Sequence, residues 1–279
     1  MRKDTLRLLA RAGLDPEGAV EMGGGSGTSV LRIGGVVAKH YRPGFDDWSG
    51  LGPAGTADKV AGLAAALPSR GVPVPHVMAR TDDGDGALVV WEAVEAGPLT
   101  PEHRVEAARV LRRLHGIPTG SLPGEVGALA LRSRRNGDRI RLGVEQSAAS
   151  LDSSHPGWRD GGLGRRTEVL LAAGEPAPGE SLVHGDYFSV NLLAGGPVPL
   201  VADWDLASPG DPMWDLAFLV GADRGLPRDV VTQVLDAYGP EGMHHASLAW
   251  HVECWALFWL LRDLAGTLPS GPAGAASSG

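Results

Sequence analysis

Cysteine is almost missing from this chain: Cys254 stands alone among 279 residues, so no internal disulfide can form. The N-terminal stretch has no apolar core of the kind that marks a secretory leader, and the expected location is therefore the cytoplasm. Lysine is scarce as well. Only Lys3, Lys39 and Lys59 occur, and arginine does the remaining cationic work. Acids exceed bases by 33 to 25, a formal charge of −8. That balance argues against nucleic acid, whose phosphates need basic patches, and suits a cationic small-molecule partner. The one long apolar stretch, about His245 to Ala265, carries His251, Glu253, Arg262 and Asp263, so it reads as a buried helix and excludes a membrane partner.

What is present points to a mixed chain. At 29.0 kDa it can bury a sizeable core and divide into two parts. Residues 1–95 read as a short helix, Asp4 to Ala12, followed by strands near Val30–Ile33, Val36–His40, His76–Arg80 and Ala87–Trp91 around one helix from about Thr56 to Leu67. From residue 96 to 268 the pattern becomes helical. Thr100 is an N-cap candidate, Pro101 fits the first helical turn, and Val105, Ala108, Leu111 and Leu114 make an apolar stripe ended by Gly116. The arginine-rich stretch Arg132 to Arg141 reads as a solvated helix face, because Asp138 and Glu145 accompany it. Residues 269–279 are rich in Gly, Ala, Ser and Pro and are expected to be a disordered tail.

The chemistry concentrates in His184-Gly185-Asp186-Tyr187-Phe188-Ser189-Val190-Asn191, followed 17 residues after Asp186 by Asp203 in Ala202-Asp203-Trp204-Asp205, which reads as the next strand. Phosphoryl transfer needs one carboxylate at the attacking hydroxyl and separate oxygen ligands for Mg²⁺. Magnesium keeps several waters, so a protein offers it only one or two side chains beside the phosphates. Asn191 and Asp203 suit that demand, and Asp186, five residues before Asn191 in a turn-like segment, can converge with it. A strand end after Pro199-Leu200-Val201-Ala202 is a stiff mount for Asp203.

With Gly210-Asp211-Pro212 and Asp215-Leu216-Ala217 added, the segment resembles the aminoglycoside phosphotransferase and choline kinase group. The resemblance implies an α+β, two-lobed, protein-kinase-like fold with a small β-rich N-terminal lobe and a larger, mainly helical C-terminal lobe. It implies Asp186 as the catalytic base and Asn191 and Asp203 as Mg²⁺ ligands. His184 would support the loop, and Asp211 and Asp215 would brace the segment or face substrate. The Leu114-His115-Gly116 signature also belongs to the group, although a core or helix-end histidine is the simpler reading of His115.

A kinase reading demands a glycine-bearing loop over the phosphates and then a lysine on a strand. Gly23 to Gly27 supplies the loop, with Gly25, Ser26, Gly27 and Thr28 as nucleotide contacts. The run fits neither the dinucleotide fingerprint nor a P-loop. Lys39, in Val36-Val37-Ala38-Lys39, is the expected phosphate lysine. A chain that otherwise uses arginine keeps a lysine where a compact charge is needed. The group carries an acid on the following helix to orient that lysine. Here the helix's only acid is Asp58, with Asp46 or Asp47 of the preceding loop as alternatives. Glu92 to Val94 align with the backbone segment that holds adenine, so Glu92 and Val94 are nucleotide contacts by resemblance.

These readings converge on transfer of the γ-phosphoryl group of ATP, or GTP, with Mg²⁺, to a hydroxyl of a cationic antibiotic. The acceptor would be an aminoglycoside or a basic cyclic peptide of the viomycin and capreomycin type. Asp205, Asp211, Asp223, Asp236, Glu241, Glu253 and Asp263, with the tryptophans, could line a cleft for amines. Alternatives are a metabolic kinase of choline, homoserine, a sugar or a ketosamine, and a nucleotide-binding protein without turnover. A protein-substrate kinase is disfavoured, since few residues separate Asp203 from Gly210-Asp211-Pro212. The protein is expected to act as a monomer or a homodimer.

Overall fold

The computed structural model describes residues 2–24, 27–45, 50–133, 136–174, 176, 179–222 and 226–266. Asp46, Asp47, Gly25, Ser26, Asp223 and the expected tail 269–279 lie outside them.

The smaller lobe opens with α1 (Lys3–Arg11), whose Leu8 and Leu9 are fully buried. Strands β1 (Val20–Gly23), β2 (Thr28–Ile33) and β3 (Val36–Tyr41) follow, then helix α2 (Gly52–Ala66), then β4 (Val77–Asp82) and β5 (Ala87–Glu92). The strands form one antiparallel sheet in the order β1-β2-β3-β5-β4. Interior strand β5 has Ala87 to Val90 buried in succession, as expected of a strand covered on both faces. Strand β1 escaped the sequence reading because all four of its residues are exposed, leaving no alternation to detect.

Residues 93–100 lead from β5 to α3 (Pro101–His115) and contain the expected boundary. Helix α3 starts where Thr100 accepts a hydrogen bond from His103 N, the cap foreseen at that residue. After it come α4 (Gly124–Arg132), α5 (Asn136–Ser154) and α6 (Gly162–Ala173). The arginine-rich stretch is therefore divided between two helices. Helix α5 also has a buried stripe, Ile140, Val144, Ala148 and Leu151, and packs on the helix His245–Leu264. The solvated-helix reading weighed the arginines and overlooked apolar residues at helical spacing.

Next come four very short strands: β6 (Ser181–Val183), β7 (Leu192–Leu193), β8 (Leu200–Val201) and β9 (Ser208–Gly210). Strand β6 pairs with β9, and β7 with β8, both antiparallel. Helix α7 (Pro212–Ala217) runs into a π-helical turn, Phe218–Ala222, before α8 (Arg228–Tyr238) and α9 (His245–Leu264). The main core gathers Leu111 and Leu114 of α3, Leu182, Tyr187, Trp204, Trp214 and Leu257. Each large apolar side chain so buried contributes about 1.5–3 kcal/mol relative to exposure. The short-strand segments that hold the expected site residues thus rest on the helical core. The whole is an α+β, two-lobed, kinase-like architecture.

Candidate active site

The segment between β6 and β7 is fixed mainly by its backbone. Gly185 has φ +86°, a conformation that side-chain-bearing residues rarely adopt. The turn aims the amides of His184 and Gly185 at the carboxylate of Asp215, at 2.7 and 2.8 Å. Asp215 is fully buried and also meets His115 Nε2 at 3.1 Å. His115 Nδ1 in turn meets the Tyr238 hydroxyl at 2.8 Å. Trp214 donates to Gly185 O at 3.0 Å, and the Tyr187 hydroxyl donates to Ala107 O at 2.9 Å. His184 Nε2 lies 2.9 Å from Ala202 O, tying this segment to the one after β8. Asp215 therefore braces the loop, one of the two roles open to it, and His115 belongs to that brace.

On this frame Asp186 and Asn191 converge. Asn191 Nδ2 donates to Asp186 O at 2.8 Å and to Asp186 Oδ2 at 3.0 Å. With the amide nitrogen so engaged, the side-chain oxygen of Asn191 is the atom left to coordinate a cation. Ala202 N donates to Asn191 O at 2.9 Å, which sets Asp203 beside the loop.

Asp203 does not continue a strand. Strand β8 ends at Val201, and Asp203 takes φ 64°, the only positive φ outside glycine among the described residues. A one-turn helix, Trp204–Leu206, follows. The left-handed step turns Trp204 into the core, where Nε1 donates to Val201 O at 2.9 Å, while both flanking carboxylates reach the other lobe. Strain of this kind concentrates at functional sites.

Lys39 meets those carboxylates. Its Nζ donates to Asp203 Oδ1 at 2.7 Å and to Asp205 Oδ2 at 2.6 Å. Burial disfavours its charge, but Asp205 and Asp203 outweigh that cost and raise its pKa above the ordinary value. Burial likewise opposes ionisation of Asp203, yet the Lys39 charge holds it below the usual carboxylate range. Asp205, buried and beside the charged Asp203, is pushed up.

Asp58 takes no part in this cluster. It points from α2 to Arg80 Nε at 2.8 Å, with half of its side chain exposed. The next residue, Lys59, faces inward instead. It is fully buried and donates to Asp205 O at 2.8 Å, Ala207 O at 3.0 Å and Ser133 Oγ at 3.0 Å. A helix that presents residue 59 to the interior turns residue 58 about 100° away. The expected pairing of Asp58 with Lys39 is thereby corrected. Sequence reasoning also missed Tyr41, whose hydroxyl donates to Asp205 Oδ1 at 2.6 Å. Alternation along β3 was the available signal, because Lys39 and Tyr41 share a face.

Between the lobes lies a cavity of about 240 Å³. Lys39, Glu92, Val94, Asn191 and Asp203 line it, with apolar walls that include Val30, Val37 and Trp91. Gly27 and Thr28 stand at the β1–β2 hairpin outside that lining. A Cβ at Gly27 would come within 2.9 Å of the Phe45 backbone, and Thr28 is buried against the sheet. The acids expected to form an amine cleft are dispersed. Asp205 faces Lys39, Glu253 pairs with Arg166 at 2.7 Å, and Glu241 lies 3.5 Å from Arg112. Asp211 caps α7 and is bonded to Ser247 and His251. Trp255 packs among Trp214, Phe218 and Phe188 in the core. Among the described residues no helix is long and apolar enough to cross a membrane.

Comparison with known proteins bears on the family and the fold. A "probable ketoamine kinase" of Thermus thermophilus is 32% identical over 228 residues, which cover 80% of this chain and 76% of that protein. Among solved structures, an aminoglycoside-3'-phosphotransferase of type VIII superposes with TM-score 0.61 at 21% identity, covering 92% of this chain and all of the other. A macrolide 2'-phosphotransferase from Brachybacterium faecium gives 0.63 at 22%, covering 95% and 94%. At such identities these structures establish the fold. Residues 21–251 match the phosphotransferase enzyme family, and the chain belongs to it.

Proposed function

We propose that this protein transfers the γ-phosphoryl group of ATP, or GTP, to a hydroxyl of an amine-bearing small molecule. The observation that carries the reading is the convergence of Lys39, Asn191 and Asp203 on one interlobe cavity, with Asp186 hydrogen-bonded to Asn191. Glu92 and Val94 border the base end, and Lys39 supplies positive charge for the α- and β-phosphates. Asp186 accepts the proton of the attacking hydroxyl, and Asn191 keeps that carboxylate aimed. The donor set suits Mg²⁺: the amide oxygen of Asn191 and the carboxylate of Asp203 are hard oxygen ligands, few enough to leave places for phosphate oxygens and water. Magnesium bound there would neutralise charge on the phosphates. The brace from Asp215 to the His184 and Gly185 amides holds Asp186 in place, so little reorganisation is needed when a hydroxyl arrives.

A ketoamine is the acceptor best supported, because the relative that carries that name is related over most of both chains, whereas the antibiotic-modifying structures share the fold. The cationic antibiotic remains the second reading, favoured by the net charge of −8. Incubation of the purified protein with Mg²⁺ and radiolabelled ATP decides between them. The panel is a sugar-derived ketoamine, aminoglycosides, tuberactinomycin peptides and choline. Label on the ketoamine alone is the expected result. Label on an antibiotic alone would transfer the assignment to the second reading, and label on none would remove both.

A further inference from the structure

Lys39 needs a fixed direction if its ammonium is to meet phosphates, and the helix acid expected to supply one is turned away. Asp58 is engaged with Arg80 on the surface of α2. Three other side chains stand where it was expected to act. Asp205 Oδ2 accepts from Lys39 Nζ at 2.6 Å, and Tyr41, two residues along the same strand face, donates to the second carboxylate oxygen at 2.6 Å. From α2, Lys59 holds the peptide of the same aspartate through Asp205 O at 2.8 Å and secures the following turn through Ala207 O at 3.0 Å. Asp205 is thus gripped at its carboxylate from β3 and at its backbone from α2. Its side chain is only 14% exposed, against 38% for Asp203.

That contrast separates two tasks. Asp203 borders the cavity with Lys39, so one of its oxygens is available to a cation. Asp205 does not border it, and its two oxygens are directed to Lys39 and Tyr41. We propose that Asp205, held by Tyr41 and Lys59, is the positioning residue that orients Lys39 toward the nucleotide phosphates in place of an acid on α2. The inference rests on the nucleotide reading of the cavity. It also gives α2 a different part in the fold: the helix reaches the site through a lysine anchored to backbone carbonyls, and its contact with Lys39 is indirect.

The test is equilibrium binding of ADP with Mg²⁺, which needs no turnover and no identified acceptor, on the full chain and on D205N, Y41F, K39M, D58N and the D205N/K39M pair. The wild-type protein is expected to bind. D205N should weaken binding about ten-fold, the loss one charge-assisted hydrogen bond carries. Y41F should weaken it by about two- to three-fold, as for a neutral hydrogen bond that acts through another group. D58N should stay within about two-fold of wild type, as for an exposed ion pair. The decisive result is non-additivity: in the K39M background, D205N should cause no further loss, because its effect passes through the missing ammonium. A further loss equal to that seen with Lys39 present overturns the proposal, and so does a D58N loss as large as that of D205N. Should D205N fail to fold, the Y41F and K39M pair is read by the same rule. A wild-type protein that binds no nucleotide overturns the reading of the cavity, and this inference with it.

Discussion

Two aspartates ten residues apart, the largely enclosed Asp205 and the fully buried Asp215, stand beside the candidate site, and they hold it in different ways. Asp215 accepts two backbone amides and meets a histidine, all within the C-terminal lobe. Asp205 accepts two side chains, Lys39 and Tyr41, that come from the other lobe. Backbone amides cannot swing away, so the half of the site built on Asp215 is fixed by the fold itself. Side chains on a separate lobe can, so the half built on Asp205 depends on how the lobes meet. The loop half should therefore govern chemistry and stability, and the interlobe half nucleotide affinity.

The sharpest division is expected from D186A. Loss of a positioned base should lower turnover at least about 100-fold, while ADP affinity stays near the wild-type value because Asp186 does not border the cavity. Steady-state kinetics and equilibrium binding on one preparation check both halves of the statement. Retained turnover would remove Asp186 from its proposed role.

D215A comes next and tests the loop brace as a matter of stability. It strips two buried amides and His115 of their acceptor, and the expected cost is about 3 kcal/mol. Thermal or urea unfolding measures it. A cost below about 1 kcal/mol would mean that water or another group satisfies those amides as well as the carboxylate does.

K59M carries the comparison to the interlobe half. Methionine has similar length, so packing is largely kept, but Asp205 O and Ala207 O lose a buried donor. About 1–2 kcal/mol of stability should be lost. Nucleotide affinity should fall as well, because the peptide of Asp205 is released. A variant with normal affinity would show that Tyr41 alone suffices to hold the carboxylate.

The same division explains what the sequence disclosed. Asp186, Asn191 and Asp203 were legible because their spacing lies within one short stretch whose geometry is local. Asp205 was read as a possible substrate contact, although it lies two residues from Asp203 and faces Lys39. Its partner is 166 positions away in the chain, and no local pattern reports such a meeting. Lys59 was overlooked for a different reason: scarcity of lysine was used to single out Lys39, yet the same scarcity applied to Lys59 on the apolar helix Gly52–Ala66. The turn at Asp203 was read as strand because an apolar run precedes it, and a positive φ at an aspartate leaves no periodic trace. Strands β2 to β5 of the smaller lobe and the long helix α9 were legible because each carries an apolar run, which the exposed β1 lacks.

The smallest expected effect concerns acid stability, and it isolates the loop lobe from the interlobe contact. Asp211 caps α7 through Met213 N at 2.9 Å and joins that helix to α9 through Ser247 and His251. Burial alone would raise its pKa, but the hydrogen bonds from His251, Ser247 and Met213 N hold it below the ordinary 3.8. A depressed native pKa means that the unfolded chain binds the proton more readily, so this contribution is complete above 3.8 and is lost as pH falls through the lowered native value. Between about pH 5 and about pH 3 the wild-type melting temperature should therefore fall further than that of D211N, which starts lower but has no carboxylate to protonate. Melting curves of the two proteins across that interval measure the difference. Parallel curves would show that acid sensitivity resides elsewhere and that the α7–α9 junction holds without the charge of Asp211.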